Sequence, residues 1–218
     1  MSLMVRDVLT ALGVDSDIDL ARTGGGGERE YIRGITNRMA QGFKFWATPD
    51  ATNFYLSIRP GHLQELPIND RVICNVAFLN EETSIKVKFP VAEINRIKDA
   101  IRSKYPDLVD PHSPMDVMSI RSITAQALRQ GLVPGSVLSP LLARWFLSEA
   151  VKGAGLGDHL HVQSYVDDLA IGGKTEIAVE TGVNTLAEYL SQQPAGAIII
   201  HDTKVRHRRS VTVLGYRL

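Results

Sequence analysis

SYVDDLAIGG, residues 164–173, sets two adjacent aspartates inside an otherwise apolar, strand-like run. With strand-like residues on both sides, the stretch is predicted to be a tight β-hairpin carrying Asp167 and Asp168 at its tip. Aspartate is favoured in turns, and that preference alone accounts for one such pair. A second reading starts from the neighbours. Tyr165, Val166, Leu169, Ala170 and Ile171 put the acids beside core material, where desolvation and mutual repulsion raise their pKa unless a cation neutralises them. Mg²⁺ suits the purpose, because it takes one or two carboxylates and completes its shell with water and substrate phosphates. Two such ions about 4 Å apart clamp the attacking and leaving oxygens of an in-line phosphoryl transfer. That arrangement calls for a further carboxylate, and Asp50, at the end of an aromatic-flanked strand, is the candidate.

The rest of the chain is read outward from this hairpin. Val179, Val183, Leu186 and Leu190 predict a helix after it, and Leu141, Leu142, Trp145 and Phe146 predict one before it, opened by Ser139 as N-cap and Pro140 in the first turn. Ile120, Ile123, Ala127 and Leu128 mark a helix up to Gly131, and Ile94, Ile97, Ile101 and Tyr105 mark one that Pro106 helps to end. GLVPGS at 131–136 is a turn, and PHSP at 111–114 is a loop. FKFWATPDATNFYLSI (43–58) reads as a strand running through Asp50 into a short irregular segment. Val5, Val8, Leu9 and Leu12 suggest a short first helix. GGGG at 24–27 reads as a connector, and Ile32, Ile35 and Met39 mark a helix ending near Gly42. AGAIII (195–200) and SVTVLGY (210–216) read as two strands of a hairpin around the basic KVRHRR (204–209). Antiparallel pairs with helices on one side indicate an α+β sandwich.

Composition sets the outer limits. The chain has 218 residues, is 44% hydrophobic and 22% charged, and balances 24 Lys+Arg against 24 Asp+Glu, so one main globular domain is expected. The lone Cys74 forms no internal disulfide, no secretory signal is visible at the start, and every apolar run stops short of the roughly 18 residues that cross a bilayer. A soluble, cytoplasmic protein with no membrane partner is expected. The zero formal charge argues mildly against a nucleic-acid partner, although a basic stripe and an acidic site can coexist in one chain.

Four motifs in order carry a resemblance. PDATNFYLSI (49–58), GLVPGSVLSPLLARWFL (131–147), SYVDDLAIGG (164–173) and TVLGY (212–216) resemble the first catalytic motif, the second motif, the Tyr-x-Asp-Asp box and the late Leu-Gly motif of reverse transcriptases. The similarity is to enzymes of the group II intron, retron and non-LTR retrotransposon type. It implies a polymerase palm, with an antiparallel ferredoxin-like sheet backed by helices, spanning 43–218; residues 1–42 would be an N-terminal helical segment with a Gly-rich linker, a remnant of the fingers. It also implies RNA-directed DNA polymerase activity, with an RNA template, a DNA primer and dNTPs as partners and two Mg²⁺ ions, replaceable by Mn²⁺, as cofactors. Asp50 and Asp167 would be the main metal ligands, Asp168 the companion acid, and the carbonyl of Ala51 a further ligand. Tyr55 falls where the family keeps an aromatic gate against the ribose 2′-hydroxyl, and a packed core tyrosine is the other reading. Gly135, Ser136 and Ser139 would line the template and nucleotide site. Lys204 resembles the lysine of the fourth motif, and Leu214 and Gly215 resemble the primer-grip hairpin.

The chain also departs from the pattern. Val133-Pro134-Gly135 stands where the family reads Pro-Gln-Gly, removing an amide that helps position template and nucleotide. The segment before the first motif offers only Arg29, Arg33, Arg38 and Lys44 as fingers cations, and LGYRL is followed by no thumb, so a second chain supplying fingers or thumb is a further expected partner. A relative that binds nucleic acid or protein without polymerising is therefore the competing reading, and a different metal-dependent nucleotidyl transferase is a third. Arg206, Arg208 and Arg209 in KVRHRR are candidate phosphate-backbone contacts or a solvated hairpin tip. Tyr165 and Trp145 are candidates for stacking on bases, with core packing favoured for Trp145. His159 and His161 beside Asp158 lack a second cluster and do not predict zinc. No serine or cysteine nucleophile with a neighbouring His and acid is recognisable.

Overall fold

The structure is a computed structural model and describes residues 8–9, 18, 27–79, 85, 94–104, 115–133, 136–201 and 203–218. Its centre is a four-stranded antiparallel sheet of order β2-β3-β1-β4, built from β1 (Phe45–Ala47), β2 (His161–Tyr165), β3 (Asp168–Gly173) and β4 (Arg206–His207). Around it run α1 (Gly27–Ala40), α2 (Phe54–Ser57), α3 (Asp70–Ala77), α4 (Ile94–Lys104), α5 (Val117–Gln130), α6 (Ser139–Gly153) and α7 (Glu176–Ser191). A separate hairpin, β5 (Thr212–Val213) and β6 (Tyr216–Arg217), closes the chain. Helices lie between β1 and β2 and between β3 and β4, while β2 and β3 are joined directly, which makes a split β-α-β arrangement with β1 and β3 in the middle. The expected α+β class holds at this level.

Alternation along the strands divides the core in two. Ala47, Leu169 and Ile171 face the larger cluster, against Leu142 and Phe146 of α6 and Val179, Val183, Leu186 and Leu190 of α7. Trp46 and Ala170 face the opposite side, where Tyr31, Ile35 and Met39 of α1 join Phe43, Val211 and Val213. Helices were expected on one side only; α1 and the β5–β6 hairpin cover the other, because the sheet is apolar on both faces. Trp46 lies opposite Gly172 and its indole fills the space that a Cβ there would need, so the glycine lets the ring lie flat on the sheet.

The helix ends follow local rules. Asp116 caps α5 by accepting the amide of Ser119 at 2.7 Å, and Thr175 caps α7 by accepting that of Ala178 at 3.3 Å. At the end of α1, Gly42 takes φ 96°, its amide donates to Met39 and that of Phe43 donates to Arg38, which is the Schellman pattern. Val8 and Leu9 are helical as expected; Val5, Leu12, Tyr105, Pro106 and the 111–114 loop lie outside the described residues.

Several expected elements change. The strand from 43 stops at Ala47 instead of running through Asp50, since buried Pro49 has no amide to donate to a ladder; 54–57 then turns into α2. AGAIII forms no strand: the amide of Ile198 donates to the carbonyl of Leu190, and only Ile200 bridges, to Ala51. The fourth strand comes instead from the basic segment, Arg206–His207, whose two exposed residues gave no apolar signal. SVTVLGY makes its own hairpin with Arg217. Ser139 is the first residue of α6 and not its cap; its hydroxyl, fully buried, donates to the carbonyl of Val133 at 2.6 Å.

Candidate functional site

The β2–β3 connection is a two-residue turn, Val166–Asp167, closed by the pair Tyr165↔Asp168. Val166 sits at φ 60°, a conformation that β-branched residues rarely adopt and that two-residue hairpins usually give to glycine. Among the described residues the other non-glycine positive-φ positions are Asn53 (φ 48°) and Leu214 (φ 49°). One follows Asp50, one precedes Asp167, and one tips the β5–β6 hairpin. Backbone strain of this kind gathers at functional sites, and here it coincides with three of the four sequence motifs.

β1 and β3 pair as Phe45↔Gly173, Trp46↔Gly172 and Ala47↔Ile171, so the chain leaves β1 toward the end of β3 that carries Asp168. By alternation Asp168 lies on the Ala170 side of the sheet. The electrostatics agree: the Asp168 carboxyl is pushed above its ordinary range, first by desolvation, then by the charge of Asp167, then by that of Asp50. All three aspartates are exposed, so the apolar run around 167–168 sends its neighbours into the core and leaves the acids at the rim. Among the described residues no group of three or more His, Cys, Asp or Glu is drawn together closely enough to hold a metal ion. The trio is thus within electrostatic reach without forming a closed coordination shell.

Asp50 is held through its backbone. Its carbonyl accepts the amide of His201 at 2.9 Å, and the amide of Thr52 donates to Ile199 at 2.9 Å. These bonds flank the Ala51↔Ile200 bridge and neither takes the carbonyl of Ala51, which in such a pair is directed away from Ile200. Thr52 Oγ1 and His201 Nε2 lie 2.9 Å apart. On the other side of the site, buried Tyr31 reaches the carbonyl of Asp168 with its hydroxyl at 3.4 Å, stacks at a tilt on Tyr165 with centroids 6.0 Å apart, and accepts the side-chain amide of Gln163 at 2.7 Å. Tyr31, Gln163 and His201 were missed in the sequence. Tyr31 had a signal, because its spacing with Ile35 and Met39 puts it on the inward face of α1; polar Gln163 and His201 had none.

The other expected site residues divide. Tyr55 is half-buried against the main core and edge-on to Phe54 at 6.1 Å, so the packing role is present whatever else the ring does. Its carbonyl accepts the amide of Leu132 at 2.9 Å, which joins the second motif to the first. Ser136 accepts the amide of Leu138 at 3.3 Å; Gly135, with Pro134, lies outside the described residues. Ser139, expected to line the template and nucleotide site, is fully buried, and its hydroxyl donates to the carbonyl of Val133. Trp145 packs half-buried against the core. Leu214 and Gly215 (φ 79°) form the β5–β6 turn, and Leu214 packs against the cluster that Tyr165 also borders, so the Leu-Gly hairpin and the aspartate hairpin meet on one face. Lys204, Arg206 and Arg209 are exposed, while Arg208 turns inward and donates to the carbonyl of Met39 at 3.0 Å. No protein-family model matches this chain, and comparison with curated proteins returns no match.

Proposed function

We propose that the chain is the palm of an RNA-directed DNA polymerase, which adds dNTPs to a primer 3′-hydroxyl on an RNA template. The observation that carries this reading is that Asp50, just after β1, lies within electrostatic reach of the β2–β3 turn, where the Asp168 carboxyl feels the charge of both Asp167 and Asp50. The strand order, with β1 and β3 in the middle and β2 and β4 at the edges, supports it as a ferredoxin-like palm arrangement. Three carboxylates and a carbonyl at Ala51 are the oxygen donors that Mg²⁺ prefers, and their repulsion is what a cation relieves. When bound, two such ions supply the charge that lowers the hydroxyl pKa and stabilises the triphosphate.

The chain's own residues orient the reaction. Asp50, from the segment after β1, and Asp168, from the start of β3, would face the reacting phosphate, while Tyr55 would border the nucleotide and the Leu214–Gly215 turn would support the primer end. The 3′-oxygen attacks the α-phosphorus, its proton passes to solvent, and pyrophosphate leaves with the bonding pair. Primer extension on poly(rA)/oligo(dT) with Mg²⁺ or Mn²⁺ tests this. Incorporation is expected from the native chain, and Asp167→Asn is expected to abolish it. No metal-dependent incorporation by the well-folded native chain, alone or with candidate partner subunits, would overturn the reading.

A second reading is favoured by the acids' failure to form a closed ligand group among the described residues. In it the chain is a non-polymerising relative that binds nucleic acid or a partner protein, and extension fails while binding persists.

A further inference from the structure

A cavity of about 250 Å³ lies between α7 and the segment that begins at the Ala51↔Ile200 bridge. Glu180, Val183, Asn184 and Ala187 form one wall, and their spacing of three, four and seven residues makes them a single stripe of α7. Ile200, His201 and Thr203 form the other wall. This second wall is held in place from behind: the amide of His201 donates to the carbonyl of Asp50 at 2.9 Å, and its Nε2 lies 2.9 Å from Thr52 Oγ1. Thr203 Oγ1 donates to the carbonyl of His201 at 3.0 Å, which leaves Oγ1 as an acceptor. Glu180 and Asn184 are exposed, and among the described residues their side chains have no hydrogen-bond or ion-pair partner. The described residues that line the cavity include no lysine or arginine.

We propose that this cavity binds a small organic cation that carries N–H donors on an apolar body, of the amidinium or alkylammonium class. The Glu180 carboxylate gives the cavity a negative charge that no described lining cation balances. Together with Thr203 Oγ1 and the side-chain carbonyl of Asn184 it offers acceptors in excess of donors, which a ligand rich in N–H groups satisfies. Val183, Ala187 and Ile200 supply apolar surface for the body of the ligand. A bare metal ion would leave that surface unused, and an anion would meet Glu180. The volume falls a little below the roughly 300–1,000 Å³ of drug-sized sites, so the ligand is a small one. Because the 200–203 wall is already tied to Asp50 and Thr52, little ordering is left for binding to impose. The proposal stands apart from polymerase activity, since it asks nothing of the carboxylates of Asp50, Asp167 or Asp168.

The test is titration of the isotope-labelled full chain with benzamidine, followed by backbone amide NMR shifts. Saturable shifts are expected at Asn184, Ala187, Ile200, His201 and Thr203, with a Kd of about 1 mM. Butylammonium is expected to move the same amides, and tetramethylammonium, which has the charge without N–H donors, to leave them unmoved. Benzamide keeps the ring and loses the charge, and it is expected to bind at least about tenfold more weakly. E180Q is expected to weaken benzamidine by a similar factor, and Asp167→Asn to bind it as the native chain does. Should E180Q fail to fold, the comparison of benzamidine with benzamide on the native chain decides. Absence of saturable shifts at these amides, equal affinity for benzamide, or unchanged affinity in folded E180Q overturns the proposal. Equal shifts from tetramethylammonium, or binding lost in Asp167→Asn, which would place the cation at the acid site, overturn it as well. Benzamidine binding by a chain that extends no primer overturns only the polymerase reading.

Discussion

Val166 and Asp168 show what the site asks of single residues. A valine at φ 60° costs about 1–3 kcal/mol, which glycine would not pay. Val166→Gly is expected to stabilise the chain by about 1 kcal/mol in urea unfolding, after allowing for the greater freedom of an unfolded glycine. For Asp168 the sign follows from its raised carboxyl. The folded chain keeps this proton to a higher pH than the unfolded chain, whose ordinary value is 3.8, so ionisation costs stability above the raised value and nothing below 3.8. Asp168→Asn is expected to raise the melting temperature at pH 7, with the gain shrinking as pH falls toward 3.8; an equal gain at all pH values would refute the repulsion. Buried His62 works in the other direction. Its Nδ1 accepts the amide of Arg59 and its Nε2 meets the carbonyl of Gly196, both at 2.9 Å, so the ring is held neutral. Desolvation presses its pKa below 6.5, against the opposing pull of Gly196 and with the help of the Arg59 charge. The unfolded chain therefore protonates first, and stability is expected to fall as pH drops below 6.5 through the lower folded value. Denaturation midpoints at pH 8 and pH 5 check this, with His62→Gln reducing the difference; His161, lowered chiefly by burial, contributes with the same sign.

Between elements, a close backbone fit joins the first and second motifs. A Cβ on Gly131 would run into the backbone of Leu56 in α2, while the next amide, that of Leu132, bonds to Tyr55. Gly131→Ala is expected to cost about 1–3 kcal/mol, because backbone cannot swing aside as a side-chain tip can. Urea midpoints measure it, and a neutral substitution would mean that Gly131 and Leu132 are free to shift away from α2. Helices α5, α6 and α7 were legible because their apolar residues recur at helical spacing, with Gly131 after α5 and Pro140 in the first turn of α6. β4 was not. An edge strand of two exposed polar residues, Arg206 and His207, has no period to read, and only its partner, β1, makes it a strand.

Over the whole molecule, one sheet serves as the wall of two cores. Leu186 is buried on the α7 side and Ile35 on the α1 side, and each truncation to Ala is expected to cost about 2–5 kcal/mol. Because Trp46 and Ala47, or Ala170 and Ile171, are neighbours facing opposite clusters, both variants are expected to unfold in a single transition seen alike by circular dichroism and tryptophan fluorescence. Two separated transitions would make α1 a unit of its own. The sequence by itself determined the aspartate hairpin and the long helices, since these rest on local spacing and turn chemistry. Only the tertiary structure decided that Asp50 comes within electrostatic reach of Asp168, that Ser139 is sealed within the fold, that Tyr31 braces the hairpin, and that Arg206–His207 becomes the fourth strand. Those are consequences of strand register and of which face each residue turns to its neighbour, and register is set by pairing between segments far apart in the chain.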